Sequence, residues 1–297
     1  MSRDPFAIEQ SAVRRSFDRA AAHYDESAVL QAEVRAQLLA RLDYVSLEPS
    51  VVLDVGCGTG HSSRALKDRY PRARVVALDL SEGMLHEARQ RQSWRRRFSR
   101  VCGDAMRLPL AGGSVDLVFS NLTLQWCTDL DAAFGEFRRV LAPRGLLNFT
   151  TFGPDTLFEL REAWAQADGH RHVSDFADMH DLGDGLLGAG LAEPVMDVER
   201  FTLTYADVFG LMRDLKAIGA HNAAASRPRG LTGRARLAAM QSAYEARRRD
   251  GVLPATYEVV FGQAWGPAGE PRRARRSGEF SVPAGAIGRR GTGGEGP

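Results

Sequence analysis

Short apolar runs alternate with amphipathic stretches along the middle of this chain, and this alternation predicts its secondary structure. The runs have the length of buried strands, and the stretches between them repeat apolar positions at helical spacing. The predicted strands cover residues 51–55, 74–79, 99–102, 115–120 and 145–151, and the predicted helices cover residues 61–70, 82–92 and 130–141. Strands that alternate with helices through short connections indicate an α/β fold with a parallel sheet and right-handed crossovers.

Both flanks of this region carry further elements. The first 45 residues contain two apolar helical faces with a break at residues 22–25, so we expect a helical lid there. Further on, the pattern predicts a helix over residues 174–191 and strands at 195–204 and 256–265, which would complete a seven-stranded sheet. The predicted divisions are a lid (1–45), a core (46–205), a mostly helical insertion (206–250), the last strand (251–267) and a tail (268–297). The tail is rich in Gly, Pro and Arg, so we expect it to be mostly disordered, with one possible short edge strand at 279–282.

The composition excludes some classes of protein but does not indicate a function. The chain has 297 residues, of which 44% are hydrophobic, and a formal net charge of +2, which is ordinary for a globular protein. Residues 213–250 hold nine basic and three acidic side chains, a local positive excess. Cys57, Cys102 and Cys127 are odd in number and widely spaced, which argues against a disulfide framework or a zinc site and fits a reducing cytoplasm. Neither a signal peptide nor an apolar run of about 18 residues is apparent, so we expect no membrane partner.

A glycine-rich loop follows the first predicted strand of the core. Residues 51–60 read VVLDVGCGTG, so that Asp54 precedes three glycines, Gly56, Gly58 and Gly60, and a helix is predicted directly afterwards. Glycine permits positive φ and close approach of a ligand to the backbone, and the first turn of a helix attracts anionic groups. The spacing G-x-G-x-G differs from the G-x-G-x-x-G of dinucleotide-binding folds. It resembles the first motif of class I S-adenosylmethionine-dependent methyltransferases.

Two acids at later strand ends support a nucleoside ligand. Asp79 ends the second predicted strand, where a carboxylate can hold both hydroxyls of a ribose. Its alternative role is as a helix N-cap, which Ser81 would fill at least as well. Asp104 and Ala105 follow the third predicted strand and, in the class I family that the glycine loop resembles, this segment lies beside the adenine.

Four further segments narrow the resemblance from the class I methyltransferases as a whole to one family among them. They are SFDRAAAHYD at residues 16–25, NLxxQW at 121–126, RDLKAIGA at 213–220 and LPATY at 253–257. Together they resemble the malonyl-acyl-carrier-protein O-methyltransferases of biotin synthesis (the BioC family). The likeness spans residues 12–265. It implies a Rossmann-like, seven-stranded class I methyltransferase sheet with an N-terminal helical lid and a helical insertion before the last strand, and it implies S-adenosyl-L-methionine as cofactor.

The resemblance and the motifs together assign a cofactor site. The amides around the three glycines would approach the methionine part, Asp54 would reach its ammonium group, and Asp79 would hold the ribose. The remaining cofactor-binding residues are Tyr24 in the lid, Leu80 and Met84 beside the adenine, Asp104 and Ala105 at its amino edge, and Asn121 and Leu122 at the end of the fourth strand.

The sequence gives fewer indications of which residues bind the methyl acceptor. A carboxylate acceptor is already ionised at neutral pH and needs no general base, and the chain shows no catalytic triad or paired-acid motif. A cation must instead orient the carboxylate. Arg213 and Lys216 lie three residues apart on one predicted helix face, within a segment of the family resemblance, so they are the candidates for this role.

The predicted reaction is methylation of the free carboxyl of a malonyl thioester to its methyl ester. The predicted partner is an acidic acyl-carrier protein, with the basic insertion as its docking surface; no nucleic acid is expected. Three alternatives remain open from the residues alone. They are C- or N-methylation of another small metabolite, cofactor binding without catalysis, and nucleic-acid methylation.

Overall fold

The computed structural model describes residues 9–170, 172–219 and 233–268, and a single seven-stranded sheet runs through them. The strands are β1 (Val51–Val55), β2 (Arg74–Asp79), β3 (Ser99–Cys102), β4 (Val115–Asn121), β5 (Leu141–Phe152), β6 (Ala192–Tyr205) and β7 (Leu253–Trp265). The helices are α1 (Gln10–Ala20), α2 (Tyr24–Ser27), α3 (Val29–Arg41), α4 (His61–Arg69), α5 (Glu82–Gln90), α6 (Leu130–Val140), α7 (Phe158–Ala167), α8 (Met179–Gly188), α9 (Val208–Ala217) and α10 (Arg234–Glu245). Each predicted strand and helix of the core appears within a few residues of its expected bounds.

The strand order is β3-β2-β1-β4-β5-β7-β6. The five strands β1 to β5 are parallel, as their rhythm predicts, whereas β7 lies between β5 and β6 and is antiparallel to both. A hydrophobic run does not encode the direction of its strand, so this reversal was not visible in the pattern. The order changes direction between β1 and β4, which is where ligands bind in open α/β sheets.

Two apolar layers cover the two faces of the sheet. Successive residues of a strand point to opposite faces, and accordingly Val52 belongs to one layer and Leu53 to the other. The first layer includes buried residues of α3 and α10, such as Val34 and Met240, and the second includes α6 and α8. Parallel strands covered on both faces account for the continuous apolar runs in the sequence.

Two helices depart from the sequence pattern. Helix α8 begins at Met179, not at residue 174, because the Asp178 carboxylate caps it by accepting from the backbone N–H groups of His180 and Asp181. Helix α7 was not predicted. It is held by tertiary contacts, since the buried Glu159 accepts hydrogen bonds from the backbone N–H (3.1 Å) and Oγ1 (2.5 Å) of Thr256 on β7.

The lid and the insertion both contain the expected helices. The break at residues 22–25 takes the form of a 3₁₀ turn (Ala21–His23) that leads into α2. In the insertion, α9 and α10 are described, whereas residues 220–232 lie outside the described residues. The tail from residue 269 also lies outside them, with the possible strand at 279–282. The division of the chain into separate units stays a prediction.

Candidate active site

The glycine loop joins β1 to α4, and each of its three glycines has a different environment. Gly56, Gly58 and Gly60 have φ of +68°, +52° and +87°, a region that strongly favours glycine. A Cβ on Gly56 would lie 2.0 Å from Oγ1 of Thr123, a side chain whose hydroxyl donates to the Val55 carbonyl (3.1 Å). A Cβ on Gly60 would lie 2.8 Å from that of Ala88 in α5. Gly58 alone faces open space, so its backbone is the part of the loop that a ligand can approach.

Asp79 fastens this loop to the end of β2. Its Oδ2 accepts the backbone N–H of Gly58 (2.8 Å), and its Oδ1 accepts the backbone N–H of Ser81 (2.9 Å). Burial raises the pKa of Asp79 to about 6, although these hydrogen bonds favour the ionised form. The Ser81 hydroxyl caps α5 by accepting from the N–H of Met84 (3.1 Å), so the N-cap role that was the alternative for Asp79 is filled by Ser81. The Asp79 carboxylate therefore remains available to a ligand.

Asp54 lies beneath the loop and is only 1% exposed. The Ser63 hydroxyl donates to its Oδ2, while its Oδ1 has no hydrogen-bond partner among the described residues. Burial raises the pKa of Asp54 to about 7. An unsatisfied buried carboxylate oxygen is costly, so its position under a ligand-binding loop indicates a polar group of the ligand or a bridging water nearby.

A cleft with an empty volume of about 880 Å³ opens at the carboxyl ends of β1, β2 and β4. Ten of the twelve predicted cofactor residues line it: Tyr24, Gly56, Gly58, Asp79, Leu80, Met84, Asp104, Ala105, Asn121 and Leu122. The other two, Asp54 and Gly60, support the loop from behind. The lining is polar at the β1–β3 end, whereas at its other end it is apolar and aromatic. That apolar end is formed by Phe17, Trp126, Phe152 and Ile218.

The lid closes one side of this cleft through contacts that the sequence did not reveal. Asp25 accepts from the Thr59 hydroxyl (2.7 Å) and pairs with Arg91, and Asp18 accepts from the Ser81 hydroxyl (2.6 Å). Phe17 packs edge-on against Trp126 with ring centroids 5.3 Å apart. Both acids belong to the SFDRAAAHYD segment, which is the signal that could have identified them. Tyr24, between them, lines the cleft as predicted.

The segment after β4 carries local backbone strain. Leu122 has φ of +51°, and its N–H donates to the carbonyl and Oγ1 of Thr150 (3.1 and 3.0 Å). Such a conformation is unfavourable for leucine and persists only where its surroundings impose it. It turns the chain out of the sheet directly beneath the cleft. Asn121 is fixed as well, since its Nδ2 donates to the Gln31 carbonyl (3.2 Å) of the lid.

Arg213 and Lys216 do not line the cleft. Both are exposed on α9, and Nη2 of Arg213 would lie 3.8 Å from a Cβ on Gly210, over the first turn of the helix. The residue of this segment that reaches the cleft is Ile218. Their role as carboxylate-orienting cations therefore stays a prediction, and it requires Arg213 to turn towards the cleft when the acceptor binds.

The described lining residues favour an acceptor that needs no base. They include no histidine, and their acids, Asp79 and Asp104, both lie at the polar end. Cys127 and Tyr24 are the other titratable lining residues, and burial raises the pKa of the thiol to about 12 and that of the phenol above its ordinary value. Neither group is a base at neutral pH.

A nucleoside attached to an amino acid fits this cleft. The acid at the end of β2 (Asp79), the open backbone at Gly58 and the oxygen of Asp54 without a partner among the described residues are each of a kind that suits one part of such a ligand. The described residues contain no group of three or more side chains that could hold a metal ion. Within the same residues, no helix is long and apolar enough to cross a bilayer.

Fold and cleft together define a class I S-adenosylmethionine-dependent methyltransferase. A family model described as "Methyltransferase domain" matches residues 53–149. Among solved structures, a putative methyltransferase from Bacillus halodurans is 20% identical with a TM-score of 0.53, covering 78% of this chain and 100% of that one. The putative methyltransferase in complex with the Haloferax volcanii Trm112 activator is also 20% identical, with a TM-score of 0.55, covering 87% and 99%. These structures show the fold.

Sequence relatives give the family. A malonyl-[acyl-carrier protein] O-methyltransferase of Methylovorus sp. is 58% identical over 90% of this chain and 92% of its own length. Proteins with the same name from Gallionella capsiferriformans and Halorhodospira halophila are 53% and 51% identical, over 89% and 97% of this chain and 93% and 98% of theirs. The chain belongs to the malonyl-[acyl-carrier protein] O-methyltransferase family, and its cofactor is S-adenosyl-L-methionine.

Proposed function

We propose that this protein transfers a methyl group to the free carboxyl of a malonyl thioester carried by an acyl-carrier protein, as a step of biotin synthesis. The observation that carries the proposal is the shared name of relatives more than 50% identical over about nine tenths of the chain. No observation favours C- or N-methylation of another metabolite.

The chemistry of the cleft supports this acceptor. S-adenosylmethionine, when bound, supplies a methyl group activated on a sulfonium. An ionised carboxylate oxygen can accept that methyl without losing a proton, so the protein has to align and desolvate the reactants rather than provide a base. Tyr24, Asp79, Asp104 and the backbone of residues 56–58 would hold the cofactor. Asn121 and Leu122 would border the reacting end, and the aromatic walls would exclude water there.

The acceptor requires a cation and a docking surface. Arg213 is our candidate for the carboxylate clamp, with Lys216 as a supporting charge. Part of the basic excess of the insertion is already neutralised: Arg247 pairs with Glu162, and Arg248 pairs with Glu245. The exposed Arg234 and Arg249 are therefore better candidates for contact with an acidic carrier. The free cysteines are consistent with work in a reducing compartment, and we infer the cytoplasm.

Incubation with methyl-labelled cofactor and separate acceptors tests the proposal. Malonyl-carrier protein, malonyl-coenzyme A, acetyl-carrier protein and free malonate are compared, and each product is identified by mass. We expect an added methyl ester on the malonyl-carrier protein and none on the acetyl form, which lacks the carboxyl. Labelling of the acetyl form, or of no acceptor despite cofactor binding, would contradict the proposal.

A further inference from the structure

A second chamber adjoins the cleft on the other side of the glycine loop. It shares Tyr24, Gln31, Gly56, Gly58 and Asn121 with the cleft. It continues between the lid and the first turn of α4, where its lining adds Asp25, Arg35, His61 and Ser62 among others. A ligand placed at Asp79 can therefore extend past Gly58 into this chamber.

Arg35 is the unusual residue of the chamber. It is half-buried on α3, and its guanidinium makes no hydrogen bond or ion pair with any described residue. The neighbouring Arg91 pairs with Asp25, and Arg14 at the outer side of the lid pairs with Glu82. An arginine stays ionised at neutral pH, and the carboxylates of Asp25 and Asp54 act on Arg35 electrostatically without contacting it, so its partly buried guanidinium keeps its hydrogen-bonding capacity for another group. Such a charge indicates an anionic ligand.

A carboxylate beside the chamber could pair with the ammonium group, which is the other charge of an amino acid. Asp54, whose Oδ1 has no hydrogen-bond partner in the described part of the chain, lies beneath the shared loop, and its carboxylate and the Arg35 guanidinium attract each other electrostatically. A cation on the lid side and a carboxylate on the loop side together suit a zwitterion. The first turn of α4 adds backbone N–H groups on the side where a carboxylate is favoured.

We propose that Arg35 binds the α-carboxylate of the methionine moiety of S-adenosylmethionine, and so fixes the amino-acid end of the cofactor between the lid and the glycine loop. The acceptor is the other source of a carboxylate in this reaction. We place the acceptor at the apolar end of the cleft, and none of the four residues that form that end lines the chamber. The assignment concerns the cofactor alone and does not depend on the acceptor.

Calorimetric binding without any acceptor tests the assignment. The ligands are S-adenosylhomocysteine, its decarboxylated analogue and 5′-methylthioadenosine, which lacks the whole amino-acid end. The proteins are the wild type, Arg35→Met and Arg35→Lys. The control is Arg19→Met, at an exposed arginine of the lid that bonds only to the Arg15 carbonyl among the described residues.

We expect the wild type and Arg19→Met to prefer S-adenosylhomocysteine over its decarboxylated analogue. Arg35→Met should weaken binding of S-adenosylhomocysteine about 10- to 100-fold, as loss of one charge-assisted contact does. Binding of the two ligands without a carboxylate should change less than about threefold, and Arg35→Lys should keep part of the preference because it retains the charge.

Three outcomes would overturn the assignment. A preserved carboxylate preference in Arg35→Met would show that Arg35 does not bind this group. Equal weakening for all three ligands would show a structural role. Unchanged cofactor binding in Arg35→Met, together with a raised KM for the malonyl substrate in a separate activity assay, would assign Arg35 to the acceptor instead.

Discussion

The two ends of the cleft differ in how the chain builds them. At the end of the cleft where we place the cofactor, Gly58, Asp79 and Asp104 lie at the ends of neighbouring parallel strands, and hydrogen bonds within and between their loops hold them. At the end where we place the acceptor, apolar surface comes from four distant segments, through Phe17, Trp126, Phe152 and Ile218. The first end offers polar groups that are held by fixed partners, whereas the second offers apolar surface.

This difference between the two ends bears on how the protein selects an acceptor that carries a charge. Polar atoms at the cofactor end are oriented before any ligand arrives, so binding there needs little rearrangement. The apolar end provides no buried cation among its described lining residues, and the candidate cations of the insertion lie outside on the exposed side of α9. If Arg213 or Lys216 selects a carboxylate acceptor, as we propose, α9 or its side chains must therefore move towards the cleft.

The largest effect is expected from Gly56→Ala at the cofactor end. The new Cβ would overlap Thr123, which is β-branched and cannot turn aside without losing its bond to Val55. We expect a lower melting temperature and a loss of cofactor affinity of more than about 100-fold. The positive-φ cost of about 1–2 kcal/mol and the overlap both lower the stability, and the shift of the loop that relieves the overlap lowers the affinity. Binding is measured by calorimetry and unfolding by scanning fluorimetry.

Gly113→Ala is the matched control for this change. Gly113 has φ of +64° and nothing within 4 Å of its position for a Cβ, so it carries the backbone cost without the overlap. If Gly56→Ala were no less stable than Gly113→Ala and still bound the cofactor, the overlap would be irrelevant and the rigidity of this end would be overestimated.

At the acceptor end, Arg213→Ala should reduce kcat/KM for malonyl-carrier protein about 100-fold, or roughly 3 kcal/mol. The expected reason is loss of the bidentate contact that orients the carboxylate, and Arg213→Lys should restore activity only partly. Cofactor affinity should stay within about twofold, which serves as the folding control. Near-normal turnover would show that Arg213 is a solvated surface residue, as its position in the free protein allows.

Asp79→Ala addresses the cofactor end with a smaller change. Loss of the ribose hydrogen bonds should weaken cofactor binding by about 1.5–3 kcal/mol. The variant also removes the bond to the Gly58 N–H, so the comparison needs Asp79→Asn, which keeps one acceptor oxygen. We expect Asp79→Asn to lie between the wild type and Asp79→Ala in calorimetric affinity. Unchanged affinity in a folded Asp79→Ala protein would remove the ribose assignment.

The smallest effect concerns carrier docking beside the acceptor end. Reversing Arg234 and Arg249 to Glu should raise KM for malonyl-carrier protein a few-fold at low salt, because steering by surface charge is screened over about 8 Å at physiological salt. Malonyl-coenzyme A should be unaffected. The control is the same charge change at Arg72 and Arg97, which are exposed before β2 and β3 at the opposite edge of the sheet. Equal effects of both double variants would argue against a specific surface.

Most of the cofactor end could be predicted because its determinants are local. The glycine spacing, the acid at the end of β2 and the strand that precedes Asp104 are each readable within a few residues of sequence. Ten of the residues so chosen lie together in the cleft. Asp54 could be predicted only in part. Its place in the motif was visible in the sequence, but its burial behind the loop follows from the packing of Ser63 in α4 against it.

The sequence by itself determined the alternation of strands and helices, the glycine loop, and the likeness to the family. These properties depend on hydrophobic spacing and on backbone conformations that particular residues permit or forbid. Tertiary structure alone decided the antiparallel direction of β7, the existence of α7, the anchoring of the lid through Asp18 and Asp25, and the partly buried position of Arg35 in the chamber beside the loop. Each of these depends on contacts between residues far apart in the chain, and neither their distance nor the burial they create is written in local sequence.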